Sequence, residues 1–164
     1  MDATHDGTRA RAIDRWFASY AADHRNDTNQ WIHVFAVPAI LWSVIALLWC
    51  LPTGTLFRPG LWAGMAMFGA WLFYQRASRL LGLGMLAVFV AMAALTWTLH
   101  ARLGTSGLAW TGLGVFVIAW VAQFVGHSHL YEGRKPSFFT DLRYLLIGPA
   151  WVLAKLYRRL GWRY

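Results

Sequence analysis

A single cysteine, Cys50, and a single glutamate, Glu132, are found in 164 residues. One cysteine excludes a disulfide framework within the chain and any site built from paired thiolates. Cys-x-x-Cys, His-Glu-x-x-His, a Walker loop and Gly-x-Ser-x-Gly are all absent, which removes zinc ribbons, zincins, P-loop nucleotidases and α/β-hydrolases. No His-x-x-x-His or His-x-x-His-His pair occurs, against the di-iron pattern of membrane desaturases. There is also no His-x-Asp/Glu with a distant third histidine, so the facial triad of 2-oxoglutarate oxygenases is not indicated. Charge is scarce, at 13% of residues, and the long apolar runs are almost free of it.

Those runs dominate the chain: 58% of residues are hydrophobic and the mean hydropathy is +0.41. Four stretches, 31–51, 56–73, 80–99 and 108–125, approach or reach the roughly 17–25 apolar residues that cross a bilayer. Only the second contains a charge, Arg58, near enough to its start to snorkel to the interface. Residues 1–29 carry four arginines and five aspartates rather than an apolar signal region, so the N-terminus is expected to stay where it is made. With it inside, thirteen basic residues fall in cytoplasmic segments and two, Arg58 and Arg102, in outer loops. That bias sets both termini inside. It also accounts for the net charge of +8 through topology and attraction to anionic headgroups, with no need for nucleic acid.

Ile13, Trp16, Phe17 and Tyr20 recur at helical spacing among charges, the pattern of an amphipathic helix lying on a membrane surface. The polar run 23–29 ends it and offers Asp27 or Thr28 as the N-cap of the first span. Pro38 is expected to kink that span. Gly60, Ala63, Gly64, Ala66 and Gly69 give the second span a small-residue face for close packing. The apolar run 144–154 is too short to cross a bilayer. Interrupted by Gly148-Pro149, it reads as an interfacial or re-entrant helix pair, followed by a basic, aromatic tail. The expected architecture is an all-α membrane protein, one integral membrane domain over 1–164. It has four transmembrane helices in an antiparallel bundle, an N-terminal amphipathic helix and a C-terminal interfacial or re-entrant segment.

Topology sorts the six histidines. His5 is in the N-terminal region and His100 at the outer end of the third span. His24 and His33 flank the start of the first span, and His127 and His129 follow the end of the fourth. In an antiparallel bundle these ends are adjacent, and three or four converging imidazoles make a metal site. Asn29, four residues before His33, shares its helical face and can steady the imidazole or a ligand. Glu132 can be a ligand, a hydrogen-bond acceptor beside one or a proton carrier, or else pair with Arg134 or Arg143.

His24-x4-Asn29-x3-His33 with Pro38 after it, Gln123-Phe124-Val125-Gly126-His127, and Glu132-Gly133-Arg134-Lys135-Pro136 resemble the integral membrane 2-hydroxy fatty acid dioxygenases of fungal phytosphingosine breakdown and their bacterial relatives. The similarity runs from about residue 20 to 156 and is specific at its two ends. It implies Fe(II) and O2 cleaving a long-chain 2-hydroxy fatty acid to an acid one carbon shorter, with His24, His33 and His127 as iron ligands and Asn29 and Glu132 beside them. His129 intervenes between the Gly-His pair and the glutamate, so His127, His129 or both remain open as ligands. Arg134 and Lys135 are placed to attract the substrate carboxylate, or serve as topology-setting charges. The implied location is the inner membrane of a bacterium or the endoplasmic reticulum of a eukaryote, with the site at the cytoplasmic face. The competing reading is a non-catalytic lipid-binding or assembly membrane protein with structural histidines.

Overall fold

The computed structural model describes residues 12–22, 24–128 and 144–162. Among these residues every regular element is helical: α1 (Ala12–Ala22), α2 (Asp27–Trp49), α3 (Leu61–Ala77), α4 (Arg79–His127) and α5 (Tyr144–Arg159). Two of them, α2 and α4, are long and apolar enough to cross a membrane. His129, Glu132, Arg134 and Lys135 lie outside the described residues, as does Arg143.

The cap of α2 is Asn26, not the expected Asp27 or Thr28. Its side-chain oxygen accepts from the amides of Thr28 (2.9 Å) and Asn29 (3.2 Å), two donors that the first helical turn leaves without a partner. The expected span 56–73 is shifted to Leu61–Ala77. Gly60, at φ 93, holds a left-handed turn just before it and leaves Leu56, Phe57 and Arg58 in the preceding loop. A Cβ at Gly60 would lie 2.8 Å from the Trp49 ring, so this glycine also permits close packing. Ala63 is buried in the main core, but the rest of the small-residue face does not pack. Gly64, Ala66 and Gly69 are exposed, and an added Cβ at Gly64 or Gly69 would meet nothing within 4 Å.

α4 is broken at Gly104 (φ 68, ψ −179). An unbroken helix would separate Thr96 from Gly112 by about 24 Å. Both nevertheless touch one short stretch of α2: Trp42 Nε1 donates to Thr96 Oγ1 at 3.1 Å, and a Cβ on Gly112 would be 3.3 Å from Ala46 Cβ. The chain therefore folds back at Gly104. Residues 79–103 run alongside α2, and 105–127 return beside it toward its N-terminus.

The terminal helices differ from expectation. Ile13, Phe17 and Tyr20 of α1 are buried with Ile147, Trp151 and Ala154 of α5 in the main core, so the apolar face of α1 covers protein. α5 is one continuous helix through Pro149, not a pair. Gly148 lies against Tyr20 and Val37, and this packing outweighs the hydrogen bond that proline removes. α5 is anchored further by Tyr74 Oη donating to the Leu146 carbonyl at 2.7 Å and Tyr157 Oη to the Leu80 carbonyl at 3.1 Å.

Two Gly→Ala changes separate backbone strain from crowding. The dihedrals of Gly104 fall in a region that is essentially glycine-only, so Gly104→Ala should cost about 1–3 kcal/mol and lower the thermal midpoint in detergent. Gly64→Ala, inside α3 and facing open space, should be neutral or gain up to about 1 kcal/mol from helix propensity.

Candidate metal centre

The fold-back brings the end of α4 to the beginning of α2. His33 sits in the second turn of α2, His127 is the last residue of α4, and His24 lies in the short connection between α1 and α2. All three are buried, at 2%, 1% and 6% exposure for His24, His33 and His127. His24 Nε2 is 3.1 Å from His33 Nε2, and His127 Nε2 is 3.2 Å from the same atom. The rings of His24 and His127 close the triangle, with centroids 5.0 Å apart.

The opposite ring atoms define what these nitrogens are. His24 Nδ1 is 2.6 Å from the Tyr20 carbonyl and His33 Nδ1 is 2.8 Å from the Asn29 carbonyl. A carbonyl oxygen only accepts, so in both rings the hydrogen is on Nδ1 and the neutral ring presents its Nε2 lone pair to the cluster. Backbone acceptors that fix the tautomer and angle of an imidazole are a regular accompaniment of metal-binding histidines. The spacing fits as well. Two nitrogens bound to one ion at about 2.0–2.1 Å sit about 3 Å apart when their bonds are near a right angle. The three histidines form a cluster able to hold a metal ion, placed where the C-terminal end of α4 favours positive charge.

Several neighbours of the cluster carry no motif of their own in the sequence. Gln123 is buried and lines the cavity with His33 and His127; it precedes His127 by four residues on a helix face where polar side chains are rare, which is the clue that could have found it. Tyr20 stacks on His24 at 4.1 Å between centroids, and Trp151 lies 5.2 Å from Tyr20. Gln30 Nε2 donates to the His24 carbonyl at 3.0 Å, and Lys155 Nζ donates to Gln30 Oε1 at 2.7 Å. Asn29, fully buried, holds His33 through its backbone carbonyl, and its side chain packs on Gly126. His100 is elsewhere, bonded to Thr105 Oγ1 at 3.1 Å near Cys50, which bonds the Thr105 carbonyl. Seventeen residues of α2 from His33, that end is about 25 Å away.

The cluster opens into a cavity of about 260 Å³ whose wall on α2 runs from His33 to Leu48. Apart from the three histidines, Tyr20 and Gln123, its walls are apolar, with Ala66 and Ala70 of α3 and Phe89 and Trp120 of α4 among them.

Gly126 is the tightest point of the site, since a Cβ there would collide with the Asn29 side-chain oxygen. Gly126→Ala should push α4 off α2 beside His127 and lower bound divalent metal per chain by about tenfold or more. Gly114→Ala, which meets nothing within 4 Å, should leave it unchanged. Equal metal content in the two variants would show that this contact does not set the cluster.

A family model described as 2-hydroxy-palmitic acid dioxygenase Mpo1-like matches residues 10–160. No curated protein and no solved structure matches the chain. The matched residues take in all three clustered histidines, Asn29 and Gln123, as well as the apolar helices around them, and the chain belongs to the Mpo1-like family.

Proposed function

We propose that this chain is an Fe(II)-dependent dioxygenase that cleaves a long-chain 2-hydroxy fatty acid to the acid one carbon shorter, with His24, His33 and His127 as the iron ligands. The observation that carries the reading is the convergence of three Nε2 atoms, two with their Nδ1 hydrogens committed to carbonyls, at the mouth of an apolar cavity. Held by His24, His33 and His127, Fe(II) would supply the electrons for O2 activation and a Lewis-acid centre for a carboxylate and its neighbouring hydroxyl.

The chain's own groups do the rest. Tyr20 and Asn29 hold two imidazoles through their carbonyls, and Gln123 adds a polar group to the cavity wall beside them. The cavity wall along α2, fifteen residues from His33 to Leu48, is about 22 Å long. A wall of that length and apolar character suits a long hydrocarbon tail. The apolar walls exclude water from the reacting end and align the chain with C1 and C2 at the histidines. In this reading Glu132 carries a proton, Arg134 and Lys135 draw in the carboxylate, and His129 is a further candidate ligand.

The protein is proposed to lie in a membrane as one domain, with α2, α3 and the two parts of α4 forming four antiparallel spans and the site at the cytoplasmic face. In the span-length windows of α2 and α4 only 39% and 28% of residues are buried, too few for core helices of a soluble protein. Phe35, Trp110 and Ile118 are more than two-thirds exposed, an outer surface suited to lipid. Reporter fusions after Leu51 and Arg102 should read outside and those after Arg76 and Tyr164 inside. A fusion at Tyr164 that reads outside contradicts the topology.

Anaerobic reconstitution with Fe(II), followed by product analysis with a long-chain 2-hydroxy fatty acid, tests the activity. His33→Ala should insert and purify, yet hold at least about tenfold less iron and make no product. His100→Ala should match the parent in both. Full iron occupancy in His33→Ala, or no binding of Fe(II) by the parent, would leave the histidines structural and favour a non-catalytic lipid-binding protein.

A further inference from the structure

A second groove, of about 290 Å³, lies beside the cavity and shares Leu41 and Pro149 with its wall, between α2, residues 79–103 of α4, and α5. Val34 and Pro38 of α2, Met85 and Met92 of α4, and Val152 and Leu156 of α5 contribute to an apolar slot. Two side chains break this character, Lys155 and Arg159, four residues apart on one face of α5.

The cations are gathered at one end. Lys155 donates to Gln30, and the Arg159 guanidinium lies 5.1 Å over the Trp31 ring, so both sit beside the first turns of α2. From that rim the slot runs along α2 to Leu41 and along α4 to Met92, about 10 Å by helical rise. Burial lowers the Lys155 pKa below its ordinary value, and Arg159 and Arg158 lower it further against an opposing influence from Asp27. The excess of positive charge around the ammonium is one that an anion relieves.

We propose that this groove binds one anionic phospholipid, with its phosphate at Lys155 and Arg159 and an acyl chain in the slot. A cationic rim at the level where α2 begins, with an apolar channel descending from it, complements a headgroup and tail together. A neutral lipid would leave the rim uncompensated. The rim also reaches the metal cluster, since Lys155 holds Gln30 and Gln30 holds the His24 carbonyl. The site stands on the groove and its charges, whatever reaction the histidines support.

Native mass spectrometry of the full chain in detergent, titrated with phosphatidylglycerol or phosphatidylcholine of the same acyl chains, tests this. The parent should retain one phosphatidylglycerol in clear preference to phosphatidylcholine. Lys155→Gln with Arg159→Gln should weaken phosphatidylglycerol binding by about tenfold or more. Arg76→Gln with Arg79→Gln, an exposed basic pair outside the groove, should leave it unchanged, which general surface charge would not. Arg159 is exposed, so its single variant tests the rim without threatening the fold, and Val88→Trp should fill the slot and displace the lipid. Equal retention of the two lipids by the parent, an unaltered preference in the Lys155/Arg159 variant, or equal weakening by the Arg76/Arg79 variant would overturn the proposal. So would displacement of phosphatidylglycerol by equimolar palmitate, which would make the groove a fatty-acid site.

Discussion

Three imidazole nitrogens meet at buried positions, with His33 Nε2 3.1 Å from His24 and 3.2 Å from His127. In His24 and His33 the hydrogen is held at Nδ1 by a backbone carbonyl, so their lone pairs are turned toward each other. In a site of low polarity such an arrangement is repulsive until a cation or a shared proton lies between the nitrogens. The architecture depends on this constraint, because each nitrogen comes from a different part of the chain.

Bringing them together takes several local devices. The Asn26 cap starts α2 so that Asn29 and His33 fall one turn apart on its buried face. The glycine-only backbone at Gly104 returns α4 along α2, and Gly126, without a Cβ, lets His127 close on Asn29 and His33. α1 and α5 pack on each other around Tyr20 and Trp151, which fixes His24 from behind. The chain belongs to the Mpo1-like family, and the substrate proposed for it would set a polar chelating end at the histidines and a long apolar tail in the cavity.

Much of this was legible in the residues. Apolar runs of span length revealed the helices, and chain reversal between them put the start of the first beside the end of the last, hence His24, His33 and His127 at one end and His100 at the other. The motifs at the two ends pointed to the family. What the sequence hid was tertiary. Hydropathy does not reveal that Gly64 and Gly69 face open space, nor that the apolar face of α1 covers α5, because an amphipathic helix reads alike whether it rests on protein or on lipid. A Gly-Pro pair reads as a helix break, yet packing on Tyr20 and Val37 carries α5 through it. Sequence does not separate Asn26 from Asp27 and Thr28 as the cap, because all three have the same capping chemistry. Gln30 acts by contacts between segments distant in the chain, which no local spacing encodes.

X-ray absorption at the iron edge of the Fe(II)-reconstituted chain, compared with His24→Ala, His33→Ala and His127→Ala, addresses the central claim most directly. A shared centre predicts a shell of nitrogen neighbours at about 2.1 Å, with the multiple scattering of imidazole rings, that loses imidazole scattering in each variant. A spectrum of oxygen neighbours alone, or one that none of the three substitutions changes, would contradict it.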